Sequence, residues 1–79
     1  MQKKISSAQM RAARALIRST AVDFARASTV GVATIRRAEV IDGEIQVSLA
    51  DEAAICRAFE IAGIEFIEDN DGGRSCRQK

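Results

Sequence analysis

Histidine, proline, tryptophan and tyrosine are all missing from these 79 residues. Without histidine the commonest general base is gone, and no serine or cysteine has a partner in the sequence to activate it as a nucleophile, so a protein that is not an enzyme is expected. Cys56 and Cys76 stand apart, with neither a further cysteine nor a histidine at metal-ligand spacing. Reduced thiols, no metal and no cofactor are the expectation. No apolar run approaches the roughly 20 residues that cross a bilayer, and the amino end MQKKISSAQM lacks the hydrophobic stretch of a secretion signal. A cytoplasmic protein without a membrane partner follows.

What is present favours helices. Apolar residues make up 47% of the chain, yet only three residues are aromatic, all phenylalanine, and alanine is abundant. That balance suits short, closely packed helices better than a sheet sandwich. A chain of this length is near the lower limit for folding alone without staples, and a homodimer would relieve the shortage of core.

The formal net charge of +1 conceals a strong asymmetry. Residues 1–38 hold eight basic side chains (Lys3, Lys4, Arg11, Arg14, Arg18, Arg26, Arg36 and Arg37) against Asp23, whereas residues 39–73 hold ten acids against Arg57. A basic face for a polyanion and an acidic remainder fit this division; two merely solvated faces would be the simpler account.

With proline absent, caps and glycines set the element boundaries. Ser6 with Gln9 forms a capping box, and Ile5 with Met10 a hydrophobic staple, predicting a first helix over about Ser7 to Arg18. Its apolar side carries Ala13, Leu16 and Ile17, with Arg11 and Arg18 opposite and Arg14 at the border. Thr20 with Asp23 repeats the pattern and opens a short second helix, about Ala21 to Ala27, with Phe24 and Ala25 toward the core. Ser28-Thr29-Val30 then reads as a turn, and Gly31 leads into a third helix, about Val32 to Val40. On its wheel Ile35, Ala38 and Val32 lie inward, while Ala33 and Arg37 lie nearly opposite, flanked by Arg36 and Val40.

The segment IDGEIQV, residues 41–47, reads as a loop with some extended character. Ser48 and Asp51 open a fourth helix, about Leu49 to Ala62, closed by Gly63 in a left-handed conformation. Its apolar stripe is Ile55, Ala58, Phe59 and Ala62, with Arg57 and Glu60 exposed. IEFI at 64–67 is rich in strand formers and precedes the turn-prone EDNDGG. Residues 75–77 either return beside it as a hairpin or fray as a tail. An exposed strand edge invites pairing with a second copy, which marks Ile64, Phe66 and Ile67 as dimerisation residues. The chain thus divides into an arm at 1–5, a helical domain at 6–63 and a strand with tail at 64–79.

The second and third helices with their three-residue turn have the lengths of a helix-turn-helix, whose second helix enters the major groove. Over about Ser6 to Gly73 the stretches QMRAARALI, ATIRRAE, AAICRAFEIAGIEFI and EDNDGG resemble small lambda-repressor-like (Xre-type) bacterial helix-turn-helix regulators. The resemblance implies a mostly α fold, a four-helix lambda-repressor-like bundle with a short C-terminal strand or hairpin, that binds double-stranded operator DNA as a dimer. It places Val32, Ala33, Thr34 and Arg37 against base edges, Arg36 at the edge of that face, and Thr20 and Ala21 where the family contacts phosphate. It also makes Arg14 and Glu39 a partly buried ion pair tying the first helix to the end of the third. Arg11 and Arg18 would add contacts to the DNA backbone. Three positions depart from the family pattern: Ala21 stands for glutamine, Thr29 for a turn glycine, and Gly31 for a Ser or Thr cap. Asp42 and Glu44, after the third helix, would repel phosphate if they faced DNA.

The function so expected is sequence-specific transcriptional regulation by a homodimer on paired half-sites, with a further protein partner controlling its activity. The rival reading is a protein-interaction module on the same scaffold, antitoxin-like or an antiactivator, with the acidic half as its working surface.

Overall fold

The computed structural model describes residues 5–41, 43–68 and 74–79. The first four residues of the expected arm, Asp42, and 69–73 of the expected turn lie outside the described residues. Among the described residues four helices, α1 (Ser7–Leu16), α2 (Ala21–Ser28), α3 (Val32–Val40) and α4 (Leu49–Ile61), precede an antiparallel hairpin of β1 (Ile64–Glu68) and β2 (Arg74–Gln78). The chain is mostly helical, and the segment after Gly73 is a strand, not a frayed tail. No helix among the described residues is long and apolar enough to cross a membrane.

Local chemistry accounts for the helix starts. The Ser6 hydroxyl accepts from the Gln9 N–H at 3.1 Å, and the Gln9 Oε1 accepts from the Ser6 N–H at 2.8 Å, completing the capping box of α1. Thr20 caps α2 by accepting from Asp23 N–H at 3.0 Å, and Ser48 caps α4 by accepting from Asp51 N–H at 3.1 Å. Only α3 starts without a side-chain cap, at Gly31.

The helix ends are less uniform. α1 stops at Leu16, two residues before the expected Arg18, because Arg18 is left-handed (φ 53°). There the N–H groups of Arg18 and Ser19 turn back onto the carbonyls of Ala15 and Arg14 at 3.1 and 3.0 Å. α2 runs one residue further than expected, to Ser28, so the turn before α3 is Thr29–Gly31, with Thr29 left-handed at φ 61°. Gly63 (φ 90°) closes α4, and its carbonyl accepts from the Lys79 N–H at 2.7 Å, tying the end of β2 to the base of the hairpin.

All three phenylalanines meet in the core. Phe24 of α2 stacks on Phe59 of α4 with centroids 4.1 Å apart, and Phe66 of β1 meets Phe59 edge-on at 5.6 Å. Met10, Ala13, Ile35, Ala38, Ile55 and Ile64 fill the space around them. Ile5 is also buried and paired with the 43–45 segment, where Ile45 N–H donates to its carbonyl at 3.0 Å. Ile5 therefore belongs to the helical body and not to an arm.

Three wheel assignments change. Leu16 is 41% exposed, because α1 ends there and Ile17, the next residue, supplies the core contact. Ala62 is exposed at the C-cap of α4. The stripe of α4 instead begins with Glu52, only 4% exposed, in line with Ile55, Cys56 and Phe59. Nothing in the sequence pattern marks a carboxylate as part of that stripe.

The hairpin docks through Gln9. While its Oε1 serves the helix cap, its buried Nε2 donates to the carbonyl of Ser75 at 2.9 Å, and β2 lies along α1. One side chain thus satisfies a helix start and a sheet.

Candidate nucleic-acid interface

α3 is held in place from its inner side and its end. Ile35 and Ala38 are fully buried, and Val32 packs against the same core. At the last turn Arg14 Nε and Nη2 donate to the two carboxylate oxygens of Glu39, each at 2.7 Å, a two-pronged ion pair with Glu39 only 7% exposed. The third arm of the same guanidinium, Nη1, donates to the Ser19 carbonyl at 2.8 Å. The hydrogen bond to Glu39 raises the Arg14 pKa above its ordinary value against the opposing effect of burial. Arg11 Nη1 donates to the main-chain carbonyl of Glu39, one of the carbonyls that the end of a helix leaves unpaired. Two arginines of α1 therefore fix the C-terminal turn of α3.

The outer side of α3 is arranged differently. Ala33, Arg36 and Arg37 are exposed, and Val40 is 75% exposed beyond them. Among the described residues neither Arg36 nor Arg37 makes a hydrogen bond or ion pair. Val32 and Thr34 are only partly exposed: Val32 leans on the core, and Thr34 lines a groove between α3 and the segment that leads into α4. The same groove is lined by Arg37, Glu44, Gln46, Ser48 and Asp51.

At the start of α2, Thr20 is exposed but its hydroxyl is engaged as the cap, so Ala21 and Val22 offer the main-chain N–H groups of the first turn. Arg18 is exposed at the α1–α2 joint. The expected base-edge residues thus share one helix, with Ala33 and Arg37 fully outward and Val32 turned partly in. Arg11, expected to meet the DNA backbone, is bonded within the chain through Nη1, and its role at α3 was not visible from its place on the helix wheel.

The hairpin residues divide by face. Ile64 is fully buried in the chain's own core and presents no side chain to a second copy, and Phe66 is half-buried against Phe59. Ile67, half-buried, pairs with Ser75 on the other face, which also carries the Glu65–Arg77 ion pair at 2.6 Å. Neither cysteine is in a disulfide, and burial pushes the Cys76 thiol up, away from the reactive thiolate. No group of three or more metal-ligating side chains occurs among the described residues. No family model, curated protein or solved structure matches the chain.

Proposed function

We propose that this chain is a sequence-specific DNA-binding transcriptional regulator with the lambda-repressor-like arrangement its sequence resembles, acting in the cytoplasm as a homodimer on paired operator half-sites. The observation that carries this reading is the two-sidedness of α3: its inner residues are locked to the core and to α1, while Arg36 and Arg37 project outward without partners among the described residues. A well-anchored helix with outward guanidinium groups is suited to the major groove, where arginine can bond guanine O6 and N7 together. Short side chains at Val32 and Ala33, with the Thr34 methyl, let such a helix approach closely and contact thymine methyl groups. Arg18 and the start of α2 would hold phosphate, and these contacts carry affinity without sequence preference.

The experiment is selection of bound duplexes from a random pool, followed by titration of labelled duplexes. Wild-type protein should recover a motif of two half-sites about one helical turn apart. Arg37→Ala should then lose roughly 1–3 kcal/mol of discrimination at one base pair, whereas Arg18→Ala should weaken selected and random duplexes alike. An equal loss on both duplexes for both variants would refute the division of labour. The protein-interaction reading draws support from Leu49 and Ile61, 77% and 81% exposed on α4. Failure to bind any duplex at low salt would favour it.

A further inference from the structure

The groove beside α3 combines an arginine that has no partner among the described residues with acidic walls. Arg37 lines it from the helix; Asp51, in the first turn of α4, and Glu44 line it from the opposite segment. Its volume is about 440 Å³ and it opens to solvent, leaving room for the edge of a base pair. On a surface proposed to meet DNA, two carboxylates beside the reading arginine work against affinity. They also act unequally on the two places where that arginine can settle. A phosphate carries a full negative charge and is repelled by a neighbouring carboxylate; the guanine edge carries no net charge, and its O6 and N7 acceptors are repelled far less. A carboxylate can further accept from the amino group of cytosine, which a phosphate cannot offer.

Building on the DNA-binding reading, we propose that Asp51, assisted by Glu44, is a specificity-determining residue: it disfavours phosphate in the Arg37 groove and so directs Arg37 to base edges. The role of the carboxylates here is repulsion, not binding. They raise the free energy of the misplaced complex more than that of the correct one, and discrimination depends on that difference.

The test uses Asp51→Asn in the full chain, which keeps side-chain size and the main-chain N–H bonded to Ser48. Two fluorescein-labelled duplexes are titrated at low salt: one of random sequence and one recovered by wild-type protein from a random pool. The variant should bind the random duplex about threefold more tightly, gain less on the selected duplex, and so show a smaller ratio between them. Adding Arg37→Ala should abolish the gain, because the effect passes through that guanidinium. An unchanged ratio, or a gain that survives Arg37→Ala, would mean a general charge effect and would overturn the proposal. Glu44→Gln, expected to act in the same direction, keeps the test valid should Asp51→Asn melt early. If wild-type protein recovers no preferred sequence, the DNA-reading function itself fails and this inference fails with it; a recovered sequence with an unaltered ratio rejects the inference alone.

Discussion

The inner and outer sides of α3 use arginine in opposite ways. On the inner side Arg14 directs three donors at protein oxygens and Arg11 reaches the last-turn carbonyl of Glu39, so both are committed within the fold. On the outer side Arg36 and Arg37 make no such bonds among the described residues. Stability should therefore depend on the first pair and ligand binding on the second. The largest separation is expected at Glu39. Glu39→Ala removes the acceptor of a half-buried guanidinium and should cost about 3 kcal/mol, read from urea denaturation, whereas Arg37→Ala should stay within about 0.5 kcal/mol of wild type. Similar losses in the two variants would dissolve the comparison.

The raised pKa of Arg14 adds a sign to this expectation. A group whose pKa is higher in the folded state contributes its stability at every pH below its unfolded value and loses it only as pH climbs through the folded one. For an arginine both values lie far into alkali. Arg14 itself should thus add no pH dependence between about pH 6 and 9, and the stability difference between Glu39→Ala and the double variant Arg14→Ala/Glu39→Ala, neither of which carries the partner carboxylate, should be flat there in urea denaturation.

The same contrast explains what could be read from the sequence. Caps depend on residues three apart, so Ser6, Thr20 and Ser48 announced their helices, and α3 begins and ends at Val32 and Val40 as its pattern predicts. The outward placement of Ala33 and Arg37 follows from helix geometry alone. Less legible were features set by contacts far along the chain. Gln9 reaches the Ser75 carbonyl across 66 positions, a contact that joins the returning strand to α1, and no local signal encodes that. Arg11 lies on the polar side of its wheel, yet a long flexible side chain can turn toward α3. The burial of Glu52 likewise depends on which elements cover the start of α4, and not on the helix itself.

A smaller effect is expected at the two left-handed joints. Arg18 and Thr29 both have positive φ, where a side chain costs about 1–2 kcal/mol; glycine removes that strain but loses roughly 0.5–1 kcal/mol through the freedom it adds to the unfolded chain. A net gain of about 0.5–1 kcal/mol is expected from either substitution to glycine. DNA binding should separate them. Arg18→Gly should gain stability while weakening all duplexes, since an outward cation is lost, whereas Thr29→Gly should gain stability and leave binding almost unchanged. If Arg18→Gly stabilises without loss of affinity, Arg18 does not belong with the outer arginines.

The smallest and most discriminating case is Gly31. Its φ of −60° suits any residue, and an added Cβ would meet nothing nearer than the Thr34 hydroxyl oxygen at 4.0 Å. Nothing inside the fold requires glycine at the start of α3, where a serine side chain could accept from a first-turn N–H that now has no side-chain partner. Gly31→Ser should accordingly raise stability by a few tenths of a kcal/mol in thermal or urea unfolding. On the outer side, the same hydroxymethyl group would occupy space through which, on the proposed reading, the helix start would approach DNA. Its hydroxyl would also draw in an N–H otherwise available to an acceptor from outside. Weaker binding to every duplex despite greater stability would extend the outer surface from Arg36 and Arg37 back to the first turn of α3. Unchanged binding would confine that surface to the arginines, because the start of the helix would then be only a start.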